Sequence, residues 1–106
     1  AKALVNKGYR LGVLNRSEEE IVVYDEVVKR FGEATEPALR EQVAKALVRK
    51  GTTLGQLNQH EKEIAVYGEV MKRFGEATEP ALQELVQNAR DALRQTQSKI
   101  NDLNTS

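Results

Sequence analysis

Residues 1–43, AKALVNKGYRLGVLNRSEEEIVVYDEVVKRFGEATEPALREQV, realign without a gap on residues 44–86, AKALVRKGTTLGQLNQHEKEIAVYGEVMKRFGEATEPALQELV. Thirty-one of the 43 positions are identical and 12 differ. A period of this size marks a repeat array, in which one unit cannot bury its apolar face alone and neighbours must stack. A third copy begins at Gln87 and fades. Ala89 still matches Ala46 and Ile100 stands for Leu57, but Arg94 replaces Gly51 and Gln97 replaces Leu54. The 106 residues therefore divide into repeat 1 (1–43), repeat 2 (44–86) and a remainder (87–106) that closes the array as one repeat domain.

Within a copy the apolar spacing is helical. Leu39, Val43, Leu47, Gly51 and Leu54 recur every three or four residues, as do Ile64, Tyr67, Val70 and Phe74. Punctuation marks the ends. Gly32 and Gly75 follow the last apolar residue, where a left-handed cap favours Gly, and Lys29-Arg30 and Lys72-Arg73 complement the dipole. Thr35 and Thr78 offer capping hydroxyls ahead of Pro37 and Pro80, which a helix accepts in its first turn. Ser17 with Glu20 reads as a capping box, and Asn15 as the stop of the preceding helix. Five helices follow, over about 1–14, 17–31, 37–57, 60–74 and 80–103. Their short connections predict antiparallel helical hairpins.

Composition narrows the function classes. Sixteen Lys and Arg balance 16 Asp and Glu, so no single-sign field serves nucleic acid or an anionic membrane. With 40% hydrophobic residues the chain reads as folded. Having no cysteine, it has no disulfide, thiolate metal site or cysteine nucleophile. No run of about 18 apolar residues occurs, and a cytoplasmic setting is the expectation.

The order Leu4, Gly8, Leu11, Glu18 to Ile21, Tyr24 and Val27, repeated as Leu47, Gly51, Leu54, Glu61 to Ile64, Tyr67 and Val70, resembles the tetratricopeptide repeat (TPR) family. It is most similar to bacterial TPR-like arrays with repeats of about 42 residues. The resemblance implies an all-α, right-handed α-solenoid of hairpins with a concave groove and, here, a C-terminal capping helix. It also implies that the small Gly lets the first helix approach the second closely. Two departures stand out: the period is 43 rather than 34, and Glu20 and Glu63 occupy places where the family usually has Ala.

Differences between the copies separate packing positions from free ones. In the first helix they are Asn6/Arg49, Tyr9/Thr52, Arg10/Thr53 and Val13/Gln56, spaced to share one face. In the second helix Glu19/Lys62, Val22/Ala65, Asp25/Gly68 and Val28/Met71 form another. The resemblance implies that the first-helix stripe lines the groove. It comprises Lys2, Val5, Asn6, Tyr9 and Val13, then Lys45, Val48, Arg49, Thr52 and Gln56, then Asn88, Asp91 and Gln95. Functionally this is a surface for a peptide or protein partner with Tyr9 as an aromatic anchor; the plainer alternative is a solvated face under weak constraint. The family's carboxylate clamp needs Lys and Asn where Val5 and Tyr9 stand, which argues against that chaperone-tail activity.

The remaining motifs read as structural. Gly8/Gly12 and Gly51/Gly55 form G-x-x-x-G pairs, but Lys7, Arg10, Arg49 and Lys50 around them exclude a bilayer span. No phosphate loop follows either pair. The lone His60 replaces Ser17 and reads as an exposed, poor cap, and Glu18-Glu19-Glu20 as dipole-favouring carboxylates. No catalytic set, metal site or cofactor motif is visible, so an enzyme is not expected. Along the last helix Leu82, Val86, Ala89, Leu93, Thr96, Ile100 and Leu103 form an apolar seam. It reads as a cap over the last hairpin, or as a pairing surface. The expected function is a protein-interaction scaffold; the alternative is self-association through the array ends or the final helix.

Overall fold

The computed structural model describes the backbone of residues 1–105 and the side chains of residues 1–102. Its described residues contain five α-helices and no strand: α1 (Lys2–Val13), α2 (Ser17–Phe31), α3 (Pro37–Gln56), α4 (His60–Phe74) and α5 (Pro80–Thr105). These lie within a residue or two of the spans read from sequence. Each helix packs on the next, and α3 also packs on α1 and α5, whereas the backbones of α2 and α4 stay apart. The molecule measures 46 × 33 × 18 Å.

The helix ends show which residues control them. Asn15 and Asn58 adopt φ of 61° and 60°, the left-handed conformation in which Asn is among the best tolerated residues. Arg16 N–H then bonds Leu11 O at 2.9 Å and Asn15 N–H bonds Gly12 O at 3.0 Å, the paired bonds of a Schellman motif. Gly32 and Gly75 differ from expectation: both are right-handed, at φ near −60°. Gly is required there for closeness. A Cβ would lie 2.4 Å from Val28 O at Gly32 and 2.3 Å from Met71 O at Gly75.

Nor is there a capping box. Ser17 is the first residue of α2, Arg16 precedes it without a side-chain cap, and Glu20 turns inward instead of back. Before α3 the flanking residue is Glu36, in extended backbone (ψ 131°). Proline forces that conformation on the residue ahead of it, which leaves Thr35 one place too far out to cap.

One core joins all five helices. Val5, Tyr24, Val27, Val43, Leu47, Tyr67, Val70, Phe74, Leu82, Val86 and Ala89 are buried members. Tyr24 and Tyr67 are its largest fully buried side chains. Gly8 and Gly51 make room for them: a Cβ at either would stand 2.4 or 2.3 Å from a tyrosine ring carbon. The helix approach implied by the small Gly is thus present, and the partner is a tyrosine. On α5 the seam residues Leu82, Val86, Ala89 and Thr96 are buried and Leu93 and Ile100 half-buried, with Arg90, Arg94 and Lys99 exposed. The Leu103 side chain lies outside the described residues. No described helix is long and apolar enough to cross a membrane.

Candidate functional site

The second glycine of each G-x-x-x-G accommodates a carboxylate. A Cβ at Gly12 would meet both Glu20 oxygens at 2.7 Å, and one at Gly55 would meet Glu63 Oε2 at 2.7 Å. The Glu at positions 20 and 63 is therefore matched, in each copy, by a missing Cβ opposite. Glu20 and Glu63 are each only 6% exposed. Four residues on, Tyr24 OH donates to Glu20 Oε2 at 2.8 Å, which offsets part of the cost of burying a carboxylate. Burial, and then the Glu20 hydrogen bond and charge, push the Tyr24 hydroxyl well above the ordinary phenol range, with Arg49 acting in the opposite sense. Tyr67 is pushed up to about 12, chiefly by burial; the Thr52 hydroxyl bond lowers it and Glu63 raises it.

Above Glu20 opens a cleft of about 290 Å³ between α1 and α3, lined by Tyr9, Gly12, Val13, Glu20, Arg49, Thr52, Thr53 and Gln56. The Arg49 guanidinium sits 4.7 Å from the Tyr9 ring centroid, within range of a cation–π contact. Tyr9 and Val13 stay 53% and 66% exposed. On the wall, Thr52 Oγ1 donates to Val48 O at 3.1 Å. The cleft therefore combines an aromatic face, one base and one enclosed acid.

Of the residues read from sequence as groove-lining, Tyr9, Val13, Arg49, Thr52 and Gln56 meet here. Val5 belongs to the core at 3% exposure and faces no groove: in this copy its side chain fills the space between helices. Val48 is half-buried against the core. Lys2 and Asn6 are exposed on α1 and take no part in the cleft. Lys45 pairs with Glu41 at 3.4 Å. On α5, Asn88 and Gln95 are exposed, and Asp91 accepts from Gln87 at 2.9 Å. The reading from sequence missed Gly12 and Glu20, and it marked Thr53 as a variable position without placing it in the groove; the Glu facing a second Gly was a usable signal.

His60 also differs from expectation. It is half-buried at the start of α4, its Nδ1 3.1 Å from Glu63 Oε1. Its ring serves the buried carboxylate, and no side chain caps α4. Among the described residues no group of three His, Cys, Asp or Glu converges as a metal site. A second, larger groove of about 510 Å³ runs between α2 and α4, with Ile21, Leu54, Leu57, Ala65 and Val66 in its walls. The Lys50–Asp25 ion pair, at 2.6 Å, stands at its edge.

No family model, curated protein or solved structure matches this chain.

Proposed function

We propose that the chain is a non-enzymatic protein-interaction module: a right-handed, TPR-like α-solenoid of antiparallel hairpins, capped by α5, acting in the cytoplasm. It takes a peptide or protein segment on the concave face formed by α1, α3 and α5. The observation carrying this reading is the Tyr9–Arg49–Glu20 cleft. It combines an exposed aromatic, a stacked guanidinium and an enclosed carboxylate, and aromatic and Arg side chains are the groups most often decisive at interfaces. Two further observations accord with the solenoid. The backbones of α1 and α3, and of α3 and α5, approach closely but those of α2 and α4 do not, as expected when first helices line the inside of a curve and second helices fan apart outside. In addition, Arg90, Arg94, Gln97 and Ser98 of α5 are exposed where the matching Leu47, Gly51 and Leu54 are buried and Gly55 half-buried, a polar outer face suited to a terminal cap.

Peptide-phage selection on the immobilised protein tests the proposal. Selected peptides should bind Tyr9→Ala and Arg49→Ala proteins at least about tenfold more weakly, as for truncated interface anchors, while the circular dichroism of both variants is unchanged. Peptides indifferent to both substitutions would refute it.

Self-association is the second reading, favoured by one comparison. Ala46 and Thr53 of α3 are buried and Leu57, just past its end, is half-buried, but the matching Ala3 and Arg10 of α1 and Leu14 just past its end are exposed, as is Val22 on α2. That end of the molecule presents apolar surface that a stacked neighbour would cover. Sedimentation from micromolar to millimolar concentration decides it. A monomer throughout would eliminate this second reading.

A further inference from the structure

The duplication contains its own control for the buried carboxylate. In repeat 2 the Glu63 carboxylate has the His60 ring at Oε1. In repeat 1 Ser17 occupies the His60 position. Glu20 accepts a hydrogen bond from Tyr24 on Oε2 only, and it enters no ion pair among the described residues. No enclosed side-chain oxygen or nitrogen among the described residues lacks a partner. The unbonded Oε1 is therefore not fully enclosed, and Glu20 helps to line the cleft. An ionised carboxylate is an acceptor only, so what it lacks is an N–H or O–H donor.

The rest of the lining selects among donors. Glu20 and Arg49 are its only charged groups, and their charges cancel. A lysine or arginine side chain would satisfy Glu20 but meet the Arg49 guanidinium. A carboxylate ligand would satisfy Arg49 but meet Glu20. The primary carboxamide is a neutral group that carries its donor and its acceptor on separate atoms side by side, whereas a hydroxyl carries both on one oxygen. Resting on the reading of this cleft as the partner surface, we infer that it recognises an Asn or Gln side chain of the bound segment, whose NH₂ donates to Glu20 Oε1 and whose carbonyl accepts from Arg49. Tyr9, beneath the guanidinium, holds that donor in place. The second repeat cannot duplicate the site, because Ala92 stands where Arg49 would recur and His60 already occupies the carboxylate.

The test uses the full, ¹⁵N-labelled chain and three blocked amino acids: Nα-acetyl-glutamine, Nα-acetyl-glutamate and Nα-acetyl-lysine methylamides. The backbone groups of the probes are identical, so differences report the side chain. The glutamine probe should shift the amides of Gly12, Glu20, Arg49 and Thr53 saturably, at least about tenfold more tightly than either charged probe, the discrimination expected of a hydrogen bond to a charged group. In Arg49→Leu the cleft keeps only its acid, and the preference should pass to the lysine probe. A wild-type preference for lysine or glutamate, or no shift of these amides with any probe, would overturn the inference. Phage peptides that are lost with Tyr9→Ala yet carry no Asn or Gln would also overturn it while leaving the binding surface intact. Peptides insensitive to Tyr9→Ala would remove the surface itself.

Discussion

Substituting alanine at two helical glycines, Gly8 and Gly68, should move stability in opposite directions. Gly in a helix interior is less favourable than Ala by about 1 kcal/mol, so propensity alone stabilises both variants. At Gly68 no atom lies within 4 Å of the added methyl, and the gain should appear nearly whole. For a domain of this size that is a rise in Tm of roughly 4–8 °C. At Gly8 the methyl would meet Tyr24 Cε1 at 2.4 Å, Cζ at 2.9 Å and Cδ1 at 3.0 Å. The ring cannot move aside, because Tyr24 is fully buried and its hydroxyl is tied to Glu20. The helices must separate instead. Overpacking of this kind costs about 3 kcal/mol at the upper end of its usual range, which leaves a net loss of about 2 kcal/mol and a fall in Tm on the order of 10 °C. Thermal melts followed by circular dichroism at matched concentration give both values. If Gly8→Ala melts at or above wild type, the close helix approach assigned to the tyrosine pocket is wrong.

The Tyr67 hydroxyl holds its proton to about 12 in the folded chain, against 10.0 for a free tyrosine. The folded state then binds the proton more tightly, so this stabilisation is complete below pH 10 and is lost as pH rises from 10 to about 12, at most ~3 kcal/mol. Tyr67→Phe should accordingly move the onset of alkaline unfolding upward, and an unchanged onset would contradict the linkage. His60→Ala strips the ring from buried Glu63 and should cost about 1–3 kcal/mol in urea denaturation, whereas Ser17→Ala, at the matching place, should cost little. A chain ending at Val86 loses Ala89 and Thr96 from the cover over α4 and should aggregate or melt early; an unchanged melt would dismiss the capping role of α5.

Periodicity made the helices legible, because 43 residues repeated nearly verbatim leave little freedom in where apolar stripes begin and end. Asn15 and Asn58 were readable as stops for a local reason, their tolerance of positive φ. Gly32 and Gly75 looked the same in sequence but are there to avoid a carbonyl, a distance that only the folded turn defines. Likewise, Glu20 sits in the first turn of α2, where an acid favours the dipole, so its inward orientation was hidden behind a sufficient surface explanation. The cleft needed two elements at once, Gly12 from α1 and Arg49 from α3. The comparison of copies marked Tyr9, Val13, Arg49, Thr52 and Gln56 because they vary, and it passed over Gly12 and Glu20 because they do not.

The central claim is that a partner segment lies in the α1/α3 cleft. Intermolecular nuclear Overhauser effects between a selected peptide and the labelled protein test it most directly. The account predicts contacts from the peptide to the Tyr9 ring, the Thr52 methyl and the Gln56 side chain. Contacts to Ile21, Ala65 and Val66 instead, in the groove between α2 and α4, would contradict it.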